Sequence, residues 1–120
     1  MKSDRRLKKN KEFQFVFRSG VSKANRQFVV YHRDRPEQKP FRVGISVSKR
    51  VGNAVKRNYI KRCIREVVRD LEGQLPEGKD YVIIARKPTA DMNFHQMKSS
   101  LVHVLKRAGL LRRVSGGTRK

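Results

Sequence analysis

An α+β two-layer sandwich, in which a small β-sheet packs with three helices, is the fold class that this sequence predicts. Three observations lead there. Three segments repeat their apolar residues at helical spacing, three others carry the alternating or continuous apolar runs of strands, and 120 residues suit one hydrophobic core. The expected order is helix, strand, strand, helix, strand, helix. One domain is expected over 1–120, with basic, flexible ends at about 1–7 and 112–120.

The first helix is expected from Asn10, as N-cap, to Ser19. Phe13, Val16 and Phe17 share one face, and Gly20 stops it. Gln27 to Arg33 is rich in β-formers, with Phe28 and Val30 on one side and Val29 and Tyr31 on the other, so both faces of this strand carry apolar groups. Asp34 to Pro40, with two prolines and several charges, reads as a solvated connection. Val43, Ile45 and Val47 then alternate with Arg42, Gly44, Ser46 and Ser48 in a half-polar second strand. After a basic turn at Lys49 to Gly52, Asn53 is placed to cap a long helix reaching about Leu71. Tyr81 to Ala85 is an unbroken β-branched and aromatic run, the pattern of a buried strand, and Arg86, Lys87 and Pro88 end it. Asn93 and Gln96 have the spacing of a capping box for a third helix, which carries Phe94, Met97, Leu101, Val104, Leu105 and Ala108 and ends near Gly109.

Charge narrows the function classes. Lys and Arg number 31 against 10 Asp and Glu, a formal net charge of +21. Self-repulsion of that size costs stability in a free fold. A phosphate backbone reverses the sign of the effect, because each cation that meets a phosphate releases condensed counterions. Nucleic acid is thus the expected partner. No apolar run approaches the roughly 20 residues of a membrane-spanning helix, the amino end lacks the apolar core of a signal peptide, and the cations are spread over the whole chain. No membrane partner is expected. Cys63, the single cysteine, permits no intrachain disulfide, which fits a reducing, cytoplasmic compartment; among Ile60, Ile64 and Val67 it reads as a small core residue.

The helix from Asn53 concentrates the function. Tyr59, Ile60, Cys63, Ile64, Val67, Val68 and Leu71 fall on one broad side that faces the core, with Tyr59 towards its edge. Arg57, Lys61, Arg65 and Arg69 recur every four residues on the other side, presenting cations about 6 Å apart. Asn58 and Arg62 join them, Lys56 falls outside the stripe, and Glu66 and Asp70 lie off it. Like charges at this spacing destabilise an isolated helix by roughly 0.2–0.5 kcal/mol per pair, so four aligned cations argue against a merely solvated face. Lys49, Arg50, Gly52 and Asn53 extend the cationic surface to the positive end of the helix, where backbone amides favour phosphate. Gly52 serves equally as a turn residue with unusual backbone angles, and both roles can hold.

The run Lys49-Arg50-Val51-Gly52-Asn53-Ala54-Val55-Lys56-Arg57-Asn58, continued by Ile60-Lys61-Arg62 and Ile64-Arg65-Glu66, closely resembles the signature of the bacterial ribonuclease P protein family. The resemblance extends to Leu7-Lys8-Lys9-Asn10, Phe13, Phe17, Asn25-Arg26-Gln27-Phe28-Val29, Arg42-Val43-Gly44, Val47-Ser48 and Ala85-Arg86-Lys87-Pro88, covering roughly Leu7 to Arg113. Tyr59 departs from it, standing where the family usually has a second arginine. At the edge of the apolar side it can pack, stack on a base or point its hydroxyl at RNA, and it is assigned no site role.

The resemblance implies a small mixed sheet with a left-handed β-α-β crossover, against the usual hand. It implies that the basic turn and long helix bind the RNA subunit, through Lys49, Arg50, Asn53, Lys56, Arg57, Asn58, Lys61, Arg62 and Arg65. It further implies a cleft between the first helix and the sheet that holds the single-stranded 5′ leader of precursor tRNA, mapping onto Phe13, Phe17 and Tyr31 with Arg86 and Lys87 nearby. Exposed aromatics beside cations suit unpaired bases, while an ordinary core is the alternative for each phenylalanine. Catalysis in such a complex belongs to the RNA, with Mg²⁺ as cofactor of the holoenzyme, no catalytic or metal-binding residue on the protein, and a free protein that is monomeric. His32, His95 and His103 lie on different segments without metal-ligand spacing, which disfavours a stand-alone nuclease. Without the long motif, a ribosomal or chaperone-like RNA-binding protein would fit the composition equally well.

Overall fold

The computed structural model of the chain describes residues 5–35 and 40–111. Three helices, α1 (Asn10–Ser19), α2 (Ala54–Asp70) and α3 (Phe94–Arg107), accompany four strands, β1 (Val21–Ala24), β2 (Phe28–Asp34), β3 (Arg42–Val47) and β4 (Lys79–Ala85). Short 3-10 turns at Lys49–Val51 and Lys87–Asp91 follow β3 and β4. The sheet is mixed, in the order β1-β2-β4-β3, with β3 parallel to β4 and the other pairs antiparallel. A parallel pair needs a crossover, and α2 provides it. From β2 onwards the order matches the expected one.

The central position of β4 explains its unbroken apolar run. On one face, Tyr81, Ile83 and Ala85 join Phe28, Val30 and Val43 beneath α2 and α3; on the other, Val82 meets Leu7 and Val16 beneath α1, with Phe13, Phe17, Tyr31 and Ile84 around them. The two-sided apolar pattern of β2 has the same cause. Tyr81 also donates its hydroxyl to the Pro76 carbonyl at 2.7 Å, and burial raises the pKa of that phenol.

At the end of the sheet where β4 begins, the buried Asp80 carboxylate accepts two hydrogen bonds from Arg42, each 2.9 Å, with Arg33 and Arg35 within ion-pair distance. The bond to Asp80 holds the Arg42 guanidinium above its ordinary pKa. Arg42 also reaches Glu12 on α1 at 2.7 Å. Burial alone would raise the Glu12 carboxyl, but the Lys8 and Lys9 amides and Arg42 outweigh it and lower the pKa. One buried carboxylate thus links three elements and orients α1 on the sheet.

Four features differ from expectation. β1 is an additional strand: Val21-Ser22-Lys23-Ala24 is exposed throughout and has no apolar alternation, and pairing with β2 alone makes it a strand. The N-cap of α1 is Lys9, and Glu12 satisfies the first amides in place of an Asn10 cap. The flexible amino end does not extend over 5–7. Leu7 is buried and donates its amide to the Val43 carbonyl at 3.0 Å, Arg6 bridges Val43, and Arg5 stacks on the Phe41 ring at 4.2 Å. Tyr59 is 41% exposed and does not join the core. The carboxyl-terminal end at 112–120, residues 1–4 and the middle of the Asp34 to Pro40 connection lie outside the described residues. Asn53, Asn93 and Gln96 cap α2 and α3 as expected.

Gly44 sets the distance between α1 and the sheet. A Cβ there would lie 2.5 Å from the far edge of the Phe13 ring, which would have to shift from its place over the strand. Gly44→Ala should therefore destabilise the protein by about 1–3 kcal/mol, the usual cost of overpacking. Urea unfolding should show a lowered midpoint with the slope unchanged.

Candidate nucleic-acid interface

The basic turn before α2 is built by the side-chain oxygens at its two ends. Ser48 accepts the Arg50 amide at 3.2 Å, and Asn53 accepts the Lys56 amide at 3.0 Å. Between them Gly52 has φ 155°, and a Cβ there would press on the Lys56 side chain at 3.2 Å. The glycine is therefore required by the turn itself. Lys49 and Arg50 are left exposed at the amino end of α2.

Along α2, Ile60, Cys63, Ile64, Val67 and Val68 are buried. Arg57, Lys61 and Arg65 are half-buried on the flank of this face, whereas Lys56, Asn58 and Arg62 are exposed. None of Lys49, Arg50, Lys56, Arg57, Lys61, Arg62 or Arg65 makes an ion pair among the described residues. Arg69 is different. It pairs with Glu66 at 2.6 Å, so the stripe of four uncompensated cations expected from the sequence shortens to three. Burial, and then the neighbouring charge of Arg6, lower the Arg65 pKa. Two cations held close together without an acid between them form a site that an anion would stabilise.

The edge of β3 brings two predicted surfaces together. Lys61 and Arg65 line a groove with Arg6, Phe13, Val43 and Ile45. Lys61, Phe13 and Ile45 also line the adjoining groove, which runs past Gln14, Phe17 and Ser46. The aromatic cleft and the basic helix are thus continuous through Lys61. Phe13, Phe17 and Tyr31 are each half-buried, and the Phe17 and Tyr31 rings meet edge to face with centroids 4.9 Å apart. The three rings surround Val16 and Val82 and stay partly exposed, so packing in the core does not remove them from the surface.

Arg86 and Lys87 are exposed just beyond β4, where they share a third groove with Arg26, Ser48, Arg50 and Ile84. Arg50 and Arg86, assigned by sequence to different RNAs, thus lie on one surface. Ser46 pairs with Ile84, so this groove continues the sheet surface beside Phe17. Sequence reading missed Arg6 and Ile45. Each lies outside the α2 motif and reaches the interface only through the pairing of strands. Among the described residues, no three His, Cys, Asp or Glu side chains form a group able to hold a metal ion.

The sequence profile of the Ribonuclease P family matches residues 1–109. The chain belongs to the bacterial ribonuclease P protein family. It is similar to the ribonuclease P protein component of Bacillus cereus strain AH820, 55% identical over 120 residues, with all of both chains covered. Its fold resembles the RNase P protein of Staphylococcus aureus, with a TM-score of 0.84, 49% identity, and 90% of this chain and 98% of that one covered. It also resembles the RNase P protein of Thermotoga maritima, with a TM-score of 0.76, 35% identity, and 85% of this chain and 96% of that one covered. As a family member, the chain is an accessory protein component of an endoribonuclease complex, and no helix among its described residues is long and apolar enough to cross a membrane.

Reversing Arg57, Lys61 and Arg65 to glutamate should weaken binding to a ribonuclease P RNA. It should also flatten the dependence of log affinity on log salt, by about 0.7–0.9 for each phosphate that the protein no longer neutralises. A filter-binding titration at several salt concentrations reads both. An unchanged slope with intact folding would remove α2 from the interface.

Proposed function

We propose that this chain binds the catalytic RNA subunit of ribonuclease P through the basic turn and α2, and the 5′ leader of precursor tRNA through the cleft between α1 and the sheet. Together they remove the leader endonucleolytically and leave the mature 5′ end. The observation that carries this reading is the continuity at Lys61, where a row of unpaired cations runs into a half-exposed aromatic groove.

The two surfaces suit two kinds of RNA contact. Arg57, Lys61 and Arg65 are held by a folded helix and meet backbone phosphates, which gives affinity and orientation without reading sequence. Phe13, Phe17 and Tyr31 offer ring faces to unpaired bases, and stacking of this kind contributes about 1–3 kcal/mol per base with little regard to base identity. A leader of varied sequence needs that tolerance. Arg50, Arg86 and Lys87 line the groove that continues the sheet surface beside the cleft and, with the exposed Lys49, offset the repulsion between two polyanions brought side by side.

Catalysis is assigned to the RNA, with Mg²⁺ used by the RNA-containing holoenzyme to promote attack of water on the phosphodiester. The protein holds the substrate and assists metal binding in the complex, with no metal ligand assigned to its own residues. The protein's own part is to bind and to position. The place of work is the cytoplasm, and the free protein is a monomer.

Cleavage of a precursor tRNA at near-physiological Mg²⁺ tests the reading, with a bacterial ribonuclease P RNA alone, the protein alone and the two combined. Cleavage should appear, or rise sharply, only in the combination; no gain from the protein would overturn the assignment. Phe17→Ala should weaken binding of precursor by about fivefold or more, the loss of one stacked base, while sparing mature tRNA. Equal losses for both substrates, with the melting temperature unchanged, would place the leader elsewhere.

A further inference from the structure

Asn25, Arg26 and Gln27 lie between β1 and β2, and neither RNA surface accounts for how firmly they are held. Asn25 Oδ1 accepts the amides of Gln27 at 3.1 Å and Phe28 at 2.8 Å. Its Nδ2 donates to the Ser100 carbonyl at 2.9 Å and to the Ser100 hydroxyl at 3.0 Å, both on α3. Ser100 in turn donates to Gln27 Oε1 at 2.9 Å, and Arg86 donates to the Asn25 carbonyl at 3.1 Å. The turn is therefore pinned to α3 and to the end of β4 at once. Arg26 stands within it, exposed and without a hydrogen bond or ion pair among the described residues.

Arg26 borders two grooves. One is the cationic groove it shares with Arg50, Arg86 and Lys87; the other runs along α3 past His95, Ser99 and His103. No carboxylate lines either. At the rim of the α3 groove, Asn93 and Gln96 use their side-chain oxygens in the capping box, which leaves both amide NH₂ groups as outward donors. His95 and His103 expose imidazole rings two helical turns apart. Ring faces, amide donors and an unpaired guanidinium on a pinned turn, without opposing acids, are the chemistry that receives unpaired nucleotides.

We propose that the α3 groove is a second single-stranded RNA subsite, reached from the leader cleft through a phosphate contact at Arg26. The inference rests on the proposed function, since the strand it extends is the leader. Continuity favours leader RNA over an acidic peptide. The sheet surface beside Phe17 passes from Ser46 across to Ile84, which lines the cationic groove, and Arg26 joins that groove to α3. Nucleotides beyond those held in the cleft would turn past Arg86 and Arg26 and lie along α3.

The test measures holoenzyme affinity for precursor tRNAs whose leaders are lengthened one nucleotide at a time. The wild type should gain affinity in two steps, as the cleft fills and then as the α3 groove fills. Arg26→Ala and His95→Ala, both surface substitutions, should abolish only the second step, with about a fivefold or larger loss on long leaders. Arg26→Ala should also lower the salt slope on long leaders by about 0.7, the value for one single-strand phosphate contact. Affinity for short leaders and for the RNA subunit should stay unchanged. A wild type with only the first step would overturn the proposal, as would variants that leave both steps intact or that weaken short leaders and the RNA subunit equally. A wild type indifferent to any leader would instead overturn the function on which the inference rests.

Discussion

The position of β4 between an antiparallel and a parallel neighbour governs the rest of this molecule. A parallel partner cannot be reached by a hairpin, so the chain between β3 and β4 must cross the sheet, and it does so as α2. With β3 at the sheet edge, the half-buried flank of α2 overlooks that edge. Lys61 and Arg65 can therefore reach residues of α1, which packs on the opposite face. Had β3 been a central strand, the cations of α2 and the aromatics of α1 would have been separated by a further strand.

Charge is segregated along the same sheet. Near the start of β4, Asp80, Glu12, Glu72, Glu77 and Asp34 engage Arg5, Arg33, Arg35, Arg42 and Lys79, so half of the chain's ten acids are committed to structure there. Towards the other end and along α2, Lys49, Arg50, Arg57, Lys61, Arg62 and Arg65 have no acidic partner among the described residues. Most of those structural pairs are partly exposed and individually weak. Asp80 differs, because removing this buried carboxylate would leave Arg33 and Arg35 without an acidic partner among the described residues and Arg42 with Glu12 alone. The molecule thus neutralises cations where α1 must dock and leaves them unpaired where phosphate can bind.

The caps of α2 and α3 and the buried strand were legible because their signals are local. Asn53 and Asn93 bond to amides three residues on, and the apolar run of β4 reports burial on both faces whatever its neighbours are. The α2 motif was legible for the same reason, since a four-residue repeat places side chains on one flank of any helix. β1 was illegible because an exposed edge strand has no burial to record in its residues. The compensation of Arg69 by Glu66 was readable in principle, since three residues on a helix are one turn. Tyr59 shows the limit of a projection: it gives an angle around the axis, while exposure depends on what packs there.

The sequence by itself determined the helices, three of the four strands, the cationic flank of α2 and the kinship with the ribonuclease P proteins. Those properties depend on periodicity, on capping chemistry and on the order of residues within one segment. Only the tertiary structure decided that Phe13 lies over Gly44, that Lys61 joins the basic helix to the aromatic groove, and that Arg26 borders both the cationic groove and α3. Each of these relations spans residues far apart in the chain. Their proximity is set by strand pairing and by the face on which each helix packs, and neither leaves a mark within any one segment.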